Sequence, residues 1–108
     1  MNDQSKVSGN TTIDNEVIDT IVRMTTTETP GVNRIFATSS NPGVKVRIAD
    51  GTVSADVYVV LDQRKNTIDV GRDLQKKISR AIQEMIGMEV GCINVHIEDY
   101  EFPEEASK

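Results

Sequence analysis

The sequence predicts an α+β fold: a two-layer sandwich in which a mixed four-stranded sheet carries two helices on one face, in the order helix, three strands, helix, strand. Three observations predict it. From Gly43 to Leu61 apolar residues alternate with polar ones on both sides of Asp50-Gly51, the pattern of a β-hairpin half buried against a core. Two stretches, one before and one after this hairpin, repeat apolar residues at helical spacing along one side. A closing stretch, CINVHIED, alternates again. One-sided helices and a one-sided sheet bury each other, which leaves the second sheet face open.

Residues 1–11 are polar apart from Val7 and predict a disordered tail, followed by a single domain over residues 12–102. The first helix carries Ile13, Val17, Ile18, Ile21 and Val22 on its apolar side, with Thr12 or Asp14 placed to cap it and Glu16 answering its dipole. Thr25, Thr26 and Thr27 are weak helix formers and Pro30 restricts Thr29, so this helix should end by about Glu28. After a Pro30-Gly31 turn, Val32 to Ala37 predicts a first strand whose inward face stays open, because Asn33 and Arg34 occupy opposite sides. A polar loop, Thr38 to Pro42, leads into the hairpin.

In the hairpin, Val44, Val46 and Ile48 face inward against Lys45 and Arg47. On the return, Val53, Ala55, Val57, Val59 and Leu61 face inward against Ser54, Asp56, Tyr58 and Val60. Asp-Gly suits a two-residue type I′ turn, since both positions tolerate positive φ. After the loop Gln63 to Asn66, the second helix starts near Asn66 or Thr67 and aligns Val70, Leu74, Ile78, Ala81, Ile82, Met85 and Ile86, with Gly87 as its C-terminal cap. The last strand, Cys92 to Asp99, should turn Ile93, Val95 and Ile97 to the core and Cys92, Asn94, His96 and Glu98 away. It should run parallel to the hairpin's second strand through a right-handed crossover, while the earlier strands form an antiparallel meander. Residues 103–108 predict an acidic disordered tail.

Composition narrows the function. At 108 residues, one domain can bury roughly two-thirds of its unfolded surface and needs no staple. A single cysteine excludes an internal disulfide, and the absence of a basic-then-apolar leader or of a long apolar run points to a soluble, cytosolic chain. A net charge of -5 opposes indiscriminate binding to nucleic acid or anionic lipid.

Several short motifs occur together: Glu28-Thr29-Pro30-Gly31-Val32, Gly43-Val44-Lys45-Val46, Asp50-Gly51, Asp56-Val57-Tyr58-Val59-Val60, Met85-Ile86-Gly87-Met88-Glu89-Val90 and Ile93-Asn94-Val95-His96-Ile97. Through them the chain, from about Ile13 to Phe102, resembles the alkaline-shock (general stress) protein family of Gram-positive and related bacteria. The loop into the second helix departs from that pattern: Arg64-Lys65-Asn66-Thr67-Ile68 stands where the family often has a glycine followed by Asn-Ile or Asn-Val. The resemblance implies a non-enzymatic cytosolic protein that gathers at the inner side of the membrane, often through a separate membrane-anchored envelope protein, and self-associates in the envelope stress response. It implies no catalytic residue and no cofactor.

Candidate sites follow the same division. Cys92 and His96 are four residues apart on one strand, about 13 Å, too far for a nucleophile and its base. One histidine and one cysteine do not make a zinc site, the acidic residues lack calcium-loop spacing, and the glycines form no phosphate-binding loop. The open sheet face instead gathers Lys45, Arg47, Asp56, Tyr58, Val60 and His96, a mixed apolar and charged surface suited to a protein contact. Tyr58 and Val60 should be its exposed apolar strip. The alternative is a small nucleic-acid-binding domain using Arg72, Lys76, Lys77 and Arg80 on the second helix; the lack of an exposed aromatic pair and of a GXXG loop argues against it.

Overall fold

The computed structural model describes residues 14–102; the two predicted tails, Thr12 and Ile13 lie outside the described residues. The elements follow the expected order: α1 (Asn15–Glu28), β1 (Val32–Ile35), β2 (Val44–Ala49), β3 (Thr52–Asp62), α2 (Thr67–Met85) and β4 (Glu89–Glu101).

The sheet is organised around β3. Along one edge β4 runs parallel to it over its whole length. The other edge is shared end to end, β2 pairing antiparallel with Thr52 to Val57 and β1 antiparallel with Val59 to Leu61. The predicted meander is therefore corrected: β1 pairs with β3 and not with β2. The hairpin partner occupies only half of an 11-residue strand, and the polar backbone groups of the other half need a partner of their own. The handover falls at Tyr58, whose N–H donates to Gly43 O at 2.9 Å while its C=O accepts from Phe36 N–H at 2.8 Å. In the hairpin turn, Asp50 (φ 53°) and Gly51 (φ 75°) both lie in the left-handed region, as the type I′ turn requires.

Both helices cover one face, α1 over β1 and β2, α2 over β4, and they touch each other. Ile18 and Val22 of α1 and Leu74, Ile78 and Ile82 of α2 meet Val53, Ala55, Val57, Val59 and Leu61 of β3, all essentially inaccessible to solvent. Each such valine, leucine or isoleucine contributes roughly 1.5–3 kcal/mol by leaving water. Two predicted core positions fail: Val17 is 49% exposed and Met85 69% exposed, because each lies at the margin of its helical stripe. The threonines of α1 do not break it. Thr26 Oγ1 donates to Val22 O at 2.7 Å and Thr29 Oγ1 to Thr25 O at 2.8 Å, so their hydroxyls are satisfied within the helix and at its end. Asp14 occupies the N-cap of α1 without a side-chain bond, whereas Asn66 caps α2 by accepting from Asp69 N–H at 3.0 Å. Gly87, at φ 78°, ends α2 by donating to Ile82 O and Gln83 O.

Local irregularities decide which residues face the core. In β1 the register shifts between Val32 and Arg34, so Val32 and Ile35 both reach the core although three residues apart. β4 is longer than the predicted Cys92 to Asp99 and shifts register twice, once between Val90 and Ile93 and once between Ile97 and Asp99. Between the shifts, Ile93 to Ile97 pairs regularly with Ala55 to Val59.

Candidate functional site

On the sheet face opposite the helices, β2, β3 and β4 set polar side chains side by side by strict register. Asp56 of β3 lies between Lys45 of β2 and Asn94 of β4, and Tyr58 is level with His96. Arg47 enters from β2, one alternation along from Lys45. Asp56 is the hub. The Arg47 guanidinium donates to Asp56 Oδ2, Asn94 Nδ2 donates to Oδ1 at 3.1 Å, and His96 Nε2 lies 2.9 Å from Oδ1. A carboxylate only accepts, so His96 carries a proton on Nε2 in this arrangement. The bonds from His96, then Arg47, then Asn94 outweigh the effect of burial and hold the Asp56 carboxyl down at about 2.

Above this hub, the Tyr58 and His96 rings stack with centroids 4.3 Å apart and 12° between planes, and Lys45 Nζ lies 5.4 Å from the Tyr58 ring centre. His96 is thereby fixed twice, through its nitrogen and through its ring plane. Five of the six residues read from the sequence, Lys45, Arg47, Asp56, Tyr58 and His96, belong to one connected cluster. Asn94 is the member that sequence reasoning placed on this face without giving it a role, since its contact depends on the pairing of β3 with β4 across the α2 crossover.

Val60 is the correction. It was expected to extend an exposed strip beyond Tyr58, yet it is fully buried while standing apart from the main core. Arg34 of β1 is registered beside Val60 and its guanidinium meets Glu101 of β4 at 3.0 Å, an ion pair that links the strands on either side of β3 at this level. Tyr58 itself is half-buried by its stacking partner rather than free. The accessible part of this face is therefore a stacked aromatic pair rimmed by Lys45 and Arg47, not an aliphatic strip.

The basic stripe lies elsewhere, on the outer side of α2. Arg72, Lys76, Lys77 and Arg80 are all exposed there. Lys77 pairs with Asp73 at 3.8 Å and Arg80 with Glu84 at 3.9 Å, while Lys76 has no ion-pair partner among the described residues. Cys92 is exposed near the start of β4, its backbone N–H donating to Ser54 Oγ at 3.3 Å.

The pattern of the alkaline-shock protein 23 family, described as having a cell envelope-related function, matches residues 3–102. The chain belongs to this family. Relatives within it include the uncharacterized protein Spy1535 of Streptococcus pyogenes serotype M6, 30% identical over 83% of this chain and 78% of its own length. The uncharacterized protein YqhY of Bacillus subtilis strain 168 is 29% identical over 86% of this chain and 78% of its own length. Among solved structures, one MamM CTD variant superposes with a TM-score of 0.56 at 17% identity, covering 82% of this chain and all of that one. Another gives 0.54 at 17% identity over 80% of this chain and 95% of that one. At such identity the likeness extends to the fold alone. Among the described residues, no helix is long and apolar enough to cross a membrane.

Proposed function

We propose that this protein is a non-enzymatic module of the cell-envelope stress response. It acts on the cytoplasmic side of the membrane, associates with itself, and is held at the membrane periphery by a membrane-anchored protein that docks on the Asp56–Tyr58–His96 face. Membership of a family with a cell envelope-related function supports the setting. The observation that carries the choice of face is the stacked Tyr58–His96 pair: a flat, prearranged aromatic surface, locked from beneath by Asp56, that loses little side-chain entropy on docking. Lys45 and Arg47 against Asp56 leave the cluster one positive charge in excess, on a chain whose net charge is -5, so an acidic segment of a partner is drawn to this face first. The alternative, a nucleic acid on α2, gains nothing from a stripe in which two of four cations already face acids.

Membrane fractionation tests the reading. The wild-type chain should sediment with membranes of its host and be released when exposed membrane proteins are digested, while Tyr58→Ala should stay in the soluble fraction, still folded and unfolding cooperatively, with the modest loss of stability expected from its stacking on His96. Losing such an aromatic anchor weakens binding by about 1–3 kcal/mol. A folded Tyr58→Ala protein that distributes as the wild type does would dismiss this face as the contact.

A further inference from the structure

Asp56 fixes one nitrogen of His96 and leaves the other without a partner. Nε2 lies 2.9 Å from Asp56 Oδ1 and carries its proton there, whereas Nδ1 has no hydrogen-bond partner among the described residues. A further proton taken up by this imidazole therefore goes to Nδ1, where it breaks no bond of the hub. The ring is also held in plane by its stack on Tyr58, which a neutral and a charged imidazole both make. The side chain is 39% exposed, so water and a partner's carboxylate both reach it.

The groups around His96 decide what this proton does. From β3 the ring meets Asp56 and Tyr58; from β2, Arg47 reaches the other oxygen of Asp56, and Lys45 lies beyond the Tyr58 ring. On β4 its neighbours of the same alternation are Asn94 and Glu98, with Cys92 beyond Asn94, and the two helices lie on the other side of the sheet. Asp56 stays ionised far below neutrality, its carboxyl being held at about 2. Of the side-chain types gathered here, imidazole is the one that ordinarily changes charge between about pH 5 and 8. With His96 neutral, Lys45 and Arg47 against Asp56 leave one positive charge; with His96 protonated the same groups leave two. Glu98 lowers both totals by one and leaves the step unchanged. At the same time Nδ1 changes from a hydrogen-bond acceptor, which repels a carboxylate, to a donor, which holds one.

We propose that His96 regulates docking on this face: a proton gained at Nδ1 as pH falls strengthens the hold on an acidic segment of the membrane-anchored partner, and its loss as pH rises releases that segment, with the aromatic stack and the Asp56 hub unchanged. The inference rests on the docking reading above and adds its control. One full charge about 4 Å from another in water corresponds to roughly a fivefold change in affinity, which sets the expected size of the effect.

Cosedimentation of the untagged full chain with washed vesicles of host membrane, from about pH 5 to about pH 8, tests it. Wild-type affinity should fall roughly fivefold across this range. His96→Gln keeps a donor for Asp56 but takes up no proton, so at every pH it should bind no more tightly than the wild type does at the upper end. The sequence holds a single histidine, so its one Cε1–H resonance in NMR reports the protonation of His96 directly. The pH at which binding changes should fall within about one unit of that titration, as a fivefold coupling requires, and Nε2 should stay protonated at both ends. This arm uses the wild type alone and holds even if His96→Gln fails to fold; a binding change well away from the titration overturns the proposal. Wild-type binding that does not change with pH, or a His96→Gln protein that matches the wild type at low pH, overturns control by His96, while the docking reading stands as long as Tyr58→Ala fails to bind. A Tyr58→Ala protein bound as tightly as the wild type at every pH overturns the docking reading itself.

Discussion

Asp56 is the residue on which the open face depends, and replacing it by asparagine should leave a signature in acid. Its carboxyl is held down at about 2 against an ordinary 3.8, first by His96, then by Arg47 and Asn94. The folded value lies below the unfolded one, so the stabilisation is complete above pH 3.8 and is lost as pH falls through the folded value. A displacement of this size corresponds to at most about 2 kcal/mol at neutral pH, the solvent-exposed Arg47 side reducing it, and about half of it should be gone by pH 3. An asparagine at this position would keep the shape of the side chain and one acceptor but no charge. Urea unfolding of wild type and Asp56→Asn, measured from pH 7 down to pH 3, should show a stability gap of about 1–2 kcal/mol that is constant above pH 5 and then narrows steadily. A gap that stays constant down to pH 3, or widens on acidification, would refute the claim that the network holds the carboxylate rather than merely surrounding it.

Other consequences are open to measurement. Val59→Ala should lose about 1–3 kcal/mol in chemical denaturation, since its fully buried side chain leaves a cavity between sheet and helices. Ile82→Ala should cost about 2–5 kcal/mol, whereas Met85→Ala, three residues on, should change stability by less than about 0.5 kcal/mol because that side chain lies in solvent. Gly51→Ala and Gly43→Ala should separate although both positions have positive φ. A Cβ at Gly51 meets nothing within 4 Å, so only the backbone cost of about 1–2 kcal/mol applies, while a Cβ at Gly43 would stand 2.5 Å from Ile35 Cγ2 and 2.9 Å from Phe36 O. Thermal melts of equal displacement would contradict the close approach described at Gly43.

Much of this arrangement was legible in the sequence, for a definite reason. Wherever alternation is unbroken, as from Val44 to Ile48 and from Val53 to Val59, period two alone assigns each side chain to a face, and the Asp50-Gly51 turn fixes how the two strands meet. Lys45, Arg47, Asp56 and Tyr58 were thus placeable on one surface, and His96 joined them because Ile93, Val95 and Ile97 show the same alternation. What escaped is what alternation cannot carry. The register shifts in β1 and β4 insert single residues that carry no distinctive chemistry, so neither the inward pairing of Val32 with Ile35 nor the true length of β4 could be read. Val60 was misjudged because its neighbours on either side, Arg34 of β1 and Asp99 of β4, are brought to it by pairings between strands far apart in the chain. Gln75 looked like one more polar residue on a helix; its bond to Ile93 O exists only because α2 lies beside the edge of β4.

The position of Tyr58 ties fold to function more closely than its side chain alone suggests. Its backbone is where β3 passes from one partner to the other, bonded to Gly43 at the start of β2 and to Phe36 just beyond β1. Both bonds lie within the sheet, and both hold in place the residue whose ring belongs to the proposed docking surface. Gly43 permits the two chain ends to approach there, with its N–H held by Asn41 Oδ1 at 2.8 Å and Arg23 of α1 donating to the neighbouring Pro42 O at 2.9 Å. The Thr38–Pro42 loop therefore joins the two residues, Phe36 and Gly43, that hold the Tyr58 backbone, whereas the Asp50-Gly51 turn lies at the far end of the hairpin ladder. The loop that appeared in the sequence as a plain polar connection is the segment that links the two backbone partners of Tyr58.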